Sequence, residues 1–181
     1  MTPSRVFTSR IAVWVLVGLS VVGTVGCDRV TKRFATERLA GSSGRSFLAN
    51  TVHLVYAENT GGFLSLGADL SDSGRTAIFV VGTGLMLAIL SVGLFQRRWE
   101  AKMLVGGALF LAGGASNWVD RVLHGRVVDF LNVGVGPVRT GIFNVADVAI
   151  MTGLALVLLS QWRHRDHDDT EPAAPPPDVL A

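Results

Sequence analysis

Cysteine is almost missing from this chain: Cys27 stands alone, so no intrachain disulfide can form and no zinc site can be built from paired cysteines. Helix packing must hold the fold instead. Charge is also scarce, at 17% of residues with a net charge of +2. That is too little for an ordinary soluble domain of mean hydropathy +0.45. No basic stripe interleaved with aromatics is present either, which excludes a surface that tracks a phosphate backbone, so nucleic acid is not expected as a partner.

Apolar residues fill the space, at 49% of the chain. They fall into runs at residues 11–26, 78–95, 103–119 and 142–162, each near the roughly 17 to 25 residues that a spanning helix needs. The pattern predicts spans at about 11–30, 76–95, 102–120 and 142–162. The expected fold class is membrane all-α, a four-transmembrane-helix bundle in one domain over residues 1–165. The His-, Asp- and Pro-rich residues 166–181 are expected to be a disordered tail. His164 and His167 sit beside aspartates there, but a solvated tail outweighs a metal site. No metal or other cofactor is expected.

Arg5 and Arg10 followed by apolar residues and Gly26-Cys27 resemble a secretory signal ending at a lipidated cysteine. Thr24 stands where such a site carries a larger aliphatic residue, so span one is expected to be retained. Four spans place both termini on one side. Charge does not say which: Arg5, Arg10, Arg97, Arg98, Lys102, Arg163 and Arg165 are balanced on the opposite side by Arg29, Lys32, Arg33, Arg38, Arg45, Arg75, Arg121, Arg126 and Arg139.

The polar segment of about residues 32–75 is too long for a bare connector and should fold. Thr51 to Tyr56 is β-prone, Gly61-Gly62 and Gly67 mark turns, and residues 31–39 predict a helix at the membrane surface. Between the last two runs, Arg126 to Leu131 is β-like and precedes a turn at Gly134 to Pro137.

Four aspartates at membrane depth or its edge carry the chemistry: Asp28, Asp120, Asp129 and Asp147. A carboxylate there costs several kcal/mol unless paired, hydrated or neutral. In the third run, Ala108, Ala112 and Ser116 recur every fourth residue and allow close helix approach. Gly113, Asn117, Asp120 and Arg121 share one helical face. Asn144 and Asp147 are three apart, which fits a shared face and equally an N-cap with a dipole-favoured acid. Asp129, between Val128 and Phe130 in a strand-like setting, has no capping role. If its loop folds over the bundle it can meet Asp147, and two carboxylates sharing one site divide into a proton holder and a general base. Asp28 and Lys32 have the i, i+4 order of a helix ion pair. Asn59-Thr60-Gly61-Gly62 offers an amide beside a flexible backbone, suited to an extended peptide, a lipid head group or simply a turn.

In order, Asp28-Arg29-Val30-Thr31-Lys32, Asn59-Thr60-Gly61, Asn117-Trp118-Val119-Asp120-Arg121, Gly125-Arg126-Val127-Val128-Asp129-Phe130 and Phe143-Asn144-Val145-Ala146-Asp147 resemble the motifs of the lipoprotein signal peptidase (signal peptidase II) family, aspartic peptidases of the bacterial membrane. The resemblance implies four spans in the cytoplasmic (inner) membrane, both termini and the tail cytoplasmic, and an extracytoplasmic β-cradle and surface helix. It implies that Asp129 and Asp147 activate a water to cut a diacylglyceryl-modified prolipoprotein just before its lipidated cysteine. By the same resemblance Asp28, Lys32, Asn59, Gly61, Asn117, Asp120, Arg121, Asn144 and Ala146 bind substrate or support the site. Membrane lipids, the prolipoprotein and the inhibitor globomycin are the implied partners of a monomer. Two stretches depart from the family pattern: Gly62 is followed by Phe63 and Leu64, and Ser116 replaces a Gly. A proton or cation transporter is the competing class. It would place acids mid-span, whereas these gather toward one surface.

Overall fold

Residues 3–62, 67, 69–96 and 99–168 are described by a computed structural model, with side chains from residue 11 to residue 162. The first element, α1 (Pro3–Leu39), is one unbroken helix. From Cys27 to Leu39 the sequence holds no Pro or Gly, and the Asp28–Lys32 pair, 2.7 Å apart, reinforces the helix across one turn. The separate surface helix expected over residues 31–39 is therefore corrected, because those residues simply continue α1. The helix stops at Gly41, whose φ of +75° suits a left-handed cap, and the Ser42 N–H returns to the Leu39 carbonyl at 3.0 Å.

One stripe of α1 is buried: Thr24, Asp28, Lys32, Ala35 and Leu39, spaced to lie on a single helical face. Leu19, Val22 and Val30 on the far side are exposed. That inversion, polar residues inward and large apolar ones outward, is the pattern of a helix solvated by lipid. Among the described residues, three helical stretches are long and apolar enough to cross a membrane: Ile11–Leu39, Asp72–Gln96 and Val145–Trp162.

A small antiparallel sheet follows α1. Strand β1 (Arg45–Phe47) pairs with β2 (Val52–Asn59), and with β3 (Val127–Val135) and β4 (Val138–Arg139) from later in the chain the strand order is β1-β2-β3-β4. Helix α2 (Asp72–Arg75), capped by the Ser71 hydroxyl accepting from the Gly74 N–H, runs directly into a π-helical stretch, Thr76–Gly82, and then α3 (Thr83–Gln96). The wide turn presents the Val80 carbonyl sideways, where the Trp118 Nε1–H donates to it at 2.8 Å. A side chain at Gly84 would meet the same indole at 3.0 Å. This pins α3 to α4 (Ala101–His124).

Helix α4 buries its small and polar residues, among them Ala108, Ala112, Ser116, Asn117 and Asp120. It ends at Gly125 (φ +69°). Strand β3 (Val127–Val135) then pairs with β2, placing Asp129 opposite Ala57 and Val127 opposite Asn59. The strand runs through Gly134, so the expected turn contracts to Gly136-Pro137 before β4 (Val138–Arg139). Helix α5 (Val145–Asp168) closes the chain. It continues past residue 165, so the start of the expected tail is helical, and residues 169–181 lie outside the described residues.

Helices α4 and α5 approach closely. A Cβ at Gly153 would stand 2.5 Å from the Gly106 carbonyl, and one at Gly113 would stand 2.4 Å from the Ala146 carbonyl. The sheet seats on the end of α1 through Ala35, Leu39 and Phe130, with Leu54, Tyr56, Val128, Leu131 and Val145 around them. Sheet alternation then turns Asp129 away from Val128 and Phe130.

Candidate active site

The start of α5 organises the site. Asn144 precedes the helix and Asp147 is its third residue, and each caps the other. The Asp147 N–H donates to the Asn144 Oδ1 at 3.0 Å, and the Asn144 N–H donates to the Asp147 Oδ2 at 3.1 Å. This is a reciprocal capping box with acid in place of Glu or Gln. The capping interpretation of these residues is thus realised, and it does not exhaust them. The remaining Asn144 donor, Nδ2, reaches the Asp129 Oδ1 at 2.6 Å and lies 3.3 Å from the Asn117 Oδ1. One buried asparagine therefore ties a strand carboxylate to a helix carboxylate.

Each carboxylate has a second amide donor. Asn59 Nδ2 donates to the Asp129 Oδ2 at 3.0 Å, and Asn117 Nδ2 donates to the Asp147 Oδ1 at 2.9 Å. Asp129 and Asp147 both line a cavity of about 190 Å³, together with Asn59, Asn117, Arg121 and Asn144 at its polar end and Met86, Leu87, Phe110 and Ile150 below. The space far exceeds the ~10–15 Å³ of probe volume that one water requires. Burial pushes the Asp129 carboxyl above the usual carboxylate range, and the negative charge of Asp147 adds to this. The amide donors Asn59 and Asn144 and the Lys32 charge oppose it. Such an environment favours a carboxyl that keeps a proton beside one that does not.

Behind this pair lies a buried ionic layer. Lys32 Nζ is 2.7 Å from the Asp28 Oδ2 and 2.7 Å from the Asp120 Oδ2, and donates to the Asn117 Oδ1 at 2.7 Å. These three acceptors match the three protons of an ammonium. Arg29 takes the other oxygen of Asp120 at 2.5 Å. The second oxygen of Asp28 accepts the Ala146 N–H at 2.9 Å, so an acid from α1 satisfies an orphan donor in the first turn of α5. Ala146 is completely buried.

Arg121 points elsewhere. Its Nη2 and Nε donate to the Gly61 carbonyl at 2.5 and 3.1 Å, and its guanidinium lies 5.7 Å from the Phe79 ring centroid. Gly61 in turn donates its N–H to the Asn59 Oδ1 at 3.0 Å. Arg121 and Gly61 thus fix the turn that carries Asn59. All the residues singled out from the sequence (Asp28, Lys32, Asn59, Gly61, Asn117, Asp120, Arg121, Asp129, Asn144, Ala146 and Asp147) join one connected network, whereas Phe63 and Leu64 lie outside the described residues. Sequence reasoning missed Ser116, taken for a small packing residue. Its hydroxyl donates to the Asp28 Oδ2 at 2.7 Å, and its advance signals were a hydroxyl among Gly and Ala and its place where the family pattern has Gly.

The comparisons with known proteins agree on the family. The sequence profile of Signal peptidase (SPase) II matches residues 20–163. Lipoprotein signal peptidases of Halothermothrix orenii, Syntrophotalea carbinolica and Sphingopyxis alaskensis are 26%, 32% and 38% identical. They cover 85%, 77% and 72% of this chain and 100%, 86% and 76% of their own lengths. Two bacterial membrane enzyme structures solved by the in meso method are also similar. The one at 2.3 Å resolution has TM-score 0.73 and 25% identity over 88% of this chain and 94% of its own. The one at 1.9 Å has TM-score 0.69 and 26% identity over 80% and 91%. With three apolar spans and a profile match over most of its length, this membrane protein belongs to the signal peptidase II family.

Proposed function

We propose that the chain is an aspartic endopeptidase that removes the signal peptide from diacylglyceryl-modified prolipoproteins, cutting immediately before the lipidated cysteine. The observation that carries this reading is the Asp129–Asn144–Asp147 bridge on the wall of a cavity that admits water. In the working state the two carboxyl groups hold one proton between them. The ionised member takes a proton from water as its oxygen bonds to the scissile carbonyl carbon, and the protonated member gives its proton to the carbonyl oxygen. Collapse of the resulting diol breaks the C–N bond as the protonated carboxyl gives its proton to the leaving cysteine nitrogen and a diol hydroxyl returns its proton to the other carboxylate. Water, two products and a restored dyad balance the step. Asn59, Asn117 and Asn144 hold the carboxylates, and Asp28, Lys32, Asp120, Arg121, Gly61 and Ala146 hold the asparagines and the first turn of α5.

Helix α4 is the fourth span in this reading. Its 24 residues reach about 36 Å at ~1.5 Å per residue, longer than a hydrocarbon core of ~30 Å. Residues 1–165 form one peptidase domain of the cytoplasmic (inner) membrane. Both termini and residues 166–181 are cytoplasmic, and the sheet acts as a cradle on the extracytoplasmic face. The enzyme works as a monomer surrounded by lipid and is inhibited by globomycin. The test is incubation of the purified protein with a lipid-modified precursor, with and without globomycin, alongside Asp129→Asn and Asp147→Asn. Each substitution is expected to lower turnover by about 10²-fold or more while the protein remains in the membrane fraction. Undiminished turnover by either variant overturns the assignment.

A further inference from the structure

Among the described residues, features that go unused by the proposed reaction include an apolar groove between α3, α4 and α5 near Trp99, a polar pocket around Arg75 and Thr60, and the buried hydroxyl of Ser116. The hydroxyl carries an argument. Serines inside helices usually return their proton to their own backbone. Two do so here, Ser20 to the Leu16 carbonyl at 2.8 Å and Ser91 to the Leu87 carbonyl at 2.7 Å. Ser116, 2% exposed, instead crosses to α1 and donates to the Asp28 Oδ2 at 2.7 Å.

That oxygen is shared. Lys32 Nζ contacts the same Asp28 Oδ2, and its other two protons go to the Asp120 Oδ2 and the Asn117 Oδ1. The charged groups around Asp28 are Lys32 on its own helix, Asp120 on α4 with Arg29 on its far oxygen, and Asp147 on α5. Lys32 thus sits in a balance among three acceptors, and Ser116 supplies part of what Asp28 would otherwise draw from it. Without the hydroxyl, the buried oxygen can be answered only by Lys32, which shifts toward Asp28 and away from Asn117. Asn117 is the residue whose Nδ2 holds the Asp147 Oδ1 at 2.9 Å.

We propose that Ser116 is a positioning residue for the hydrolysis: by donating to Asp28 it keeps Lys32 on Asn117, and so sets how Asp147 is presented to the cavity. The inference rests on the peptidase reading above. It concerns a position at which this chain departs from the glycine of the family pattern, and a glycine there would allow close helix approach but offer no donor.

The experiment measures kcat, KM, the pH dependence of kcat and the unfolding midpoint on a lipid-modified precursor. The proteins are the full-length chain, Ser116→Ala, Ser116→Cys, Asp28→Asn and the Ser116→Ala/Asp28→Asn double variant. Ser116→Ala is expected to lower kcat about three- to tenfold, the size of one hydrogen bond's net worth. KM should stay within about twofold, and the pH dependence of kcat should change, because Asn117 holds Asp147 less firmly once Lys32 shifts toward Asp28. Ser116→Cys, a weak donor, should fall between. In the Asp28→Asn background, Ser116→Ala should cost nothing more. Unchanged kcat and pH profile with a lowered unfolding midpoint, a change in KM alone, or an undiminished loss in the Asp28→Asn background each overturn the proposal. Should Ser116→Ala not fold, Ser116→Cys decides by the same criteria, and failure of both to fold makes Ser116 a folding residue and ends the proposal. The two readings fail differently. Inactive wild-type protein, or a fully active Asp129→Asn variant, defeats the peptidase reading and this one with it, whereas active wild type with a wild-type-like Ser116→Ala defeats only this one.

Discussion

Lys32→Met tests whether the ionic layer behind the carboxylates is structural support for the site. Lys32 is buried and shares its protons with Asp28, Asp120 and Asn117, all at 2.7 Å. Met has similar length and no charge. After the substitution Asp120 keeps Arg29, whose side chain is partly exposed. Asp28 keeps only the Ser116 hydroxyl and the Ala146 N–H, two neutral donors for a buried negative charge. Removing one partner of a buried pair costs about 3 to 5 kcal/mol, a large share of the roughly 5 to 15 kcal/mol that holds a typical protein folded. At about 2 to 4 °C per kcal/mol for a chain of this size, the unfolding midpoint in detergent micelles should fall by about 6 to 20 °C. Neutralising the orphan as well, with Lys32→Met/Asp28→Asn, removes the uncompensated charge and should recover at least about half of that loss. Cleavage should not recover in the double variant, because Asn117 still lacks the ammonium that orients its amide toward Asp147. A single variant within about 1 kcal/mol of wild type, or a double variant whose loss equals the sum of two large single losses, would refute the reasoning.

Asn59→Ala removes a donor that favours the ionised form of Asp129. The already raised Asp129 carboxyl then rises further, so the alkaline limb of the pH–rate profile, which reports loss of the dyad's proton, should move to higher pH; an unmoved limb would show that Asn59 serves only its turn. Gly113→Ala drives a methyl against the Ala146 carbonyl at 2.4 Å and the Ile150 backbone N at 3.2 Å. It should displace the first turn of α5 and lower both the unfolding midpoint and turnover, whereas Gly18→Ala, with nothing within 4 Å, should leave both unchanged.

Much of this molecule is legible in one dimension. The long helices follow from apolar runs, because lipid solvates a helix by length and composition alone. β2 follows from the β-prone Thr51 to Tyr56, and β3 from Val127 to Leu131. The three-residue spacing of Asn144 and Asp147 announces a helix start. Other features are invisible at that level. Residues 31–39 read as a surface helix because they are polar, yet they continue α1 and bury Lys32 against α4 and Ala35 and Leu39 against the sheet. The π-helical turn at Thr76–Gly82 leaves no sequence mark, and neither does the use of its Val80 carbonyl by Trp118.

Residue order alone decided that this is a membrane chain whose acids must be sheltered, since a carboxylate beside lipid is intolerable wherever the chain folds. Only the tertiary structure decided who shelters whom. Asp28 meets Ala146 across 118 positions and Asn59 meets Asp129 across 70, because helix packing through Gly106, Gly113 and Gly153 and the β2–β3 register bring them together. Hydrogen bonds are short and directional, so partners distant along the chain are fixed by the geometry of packed backbones and not by any local pattern of residues.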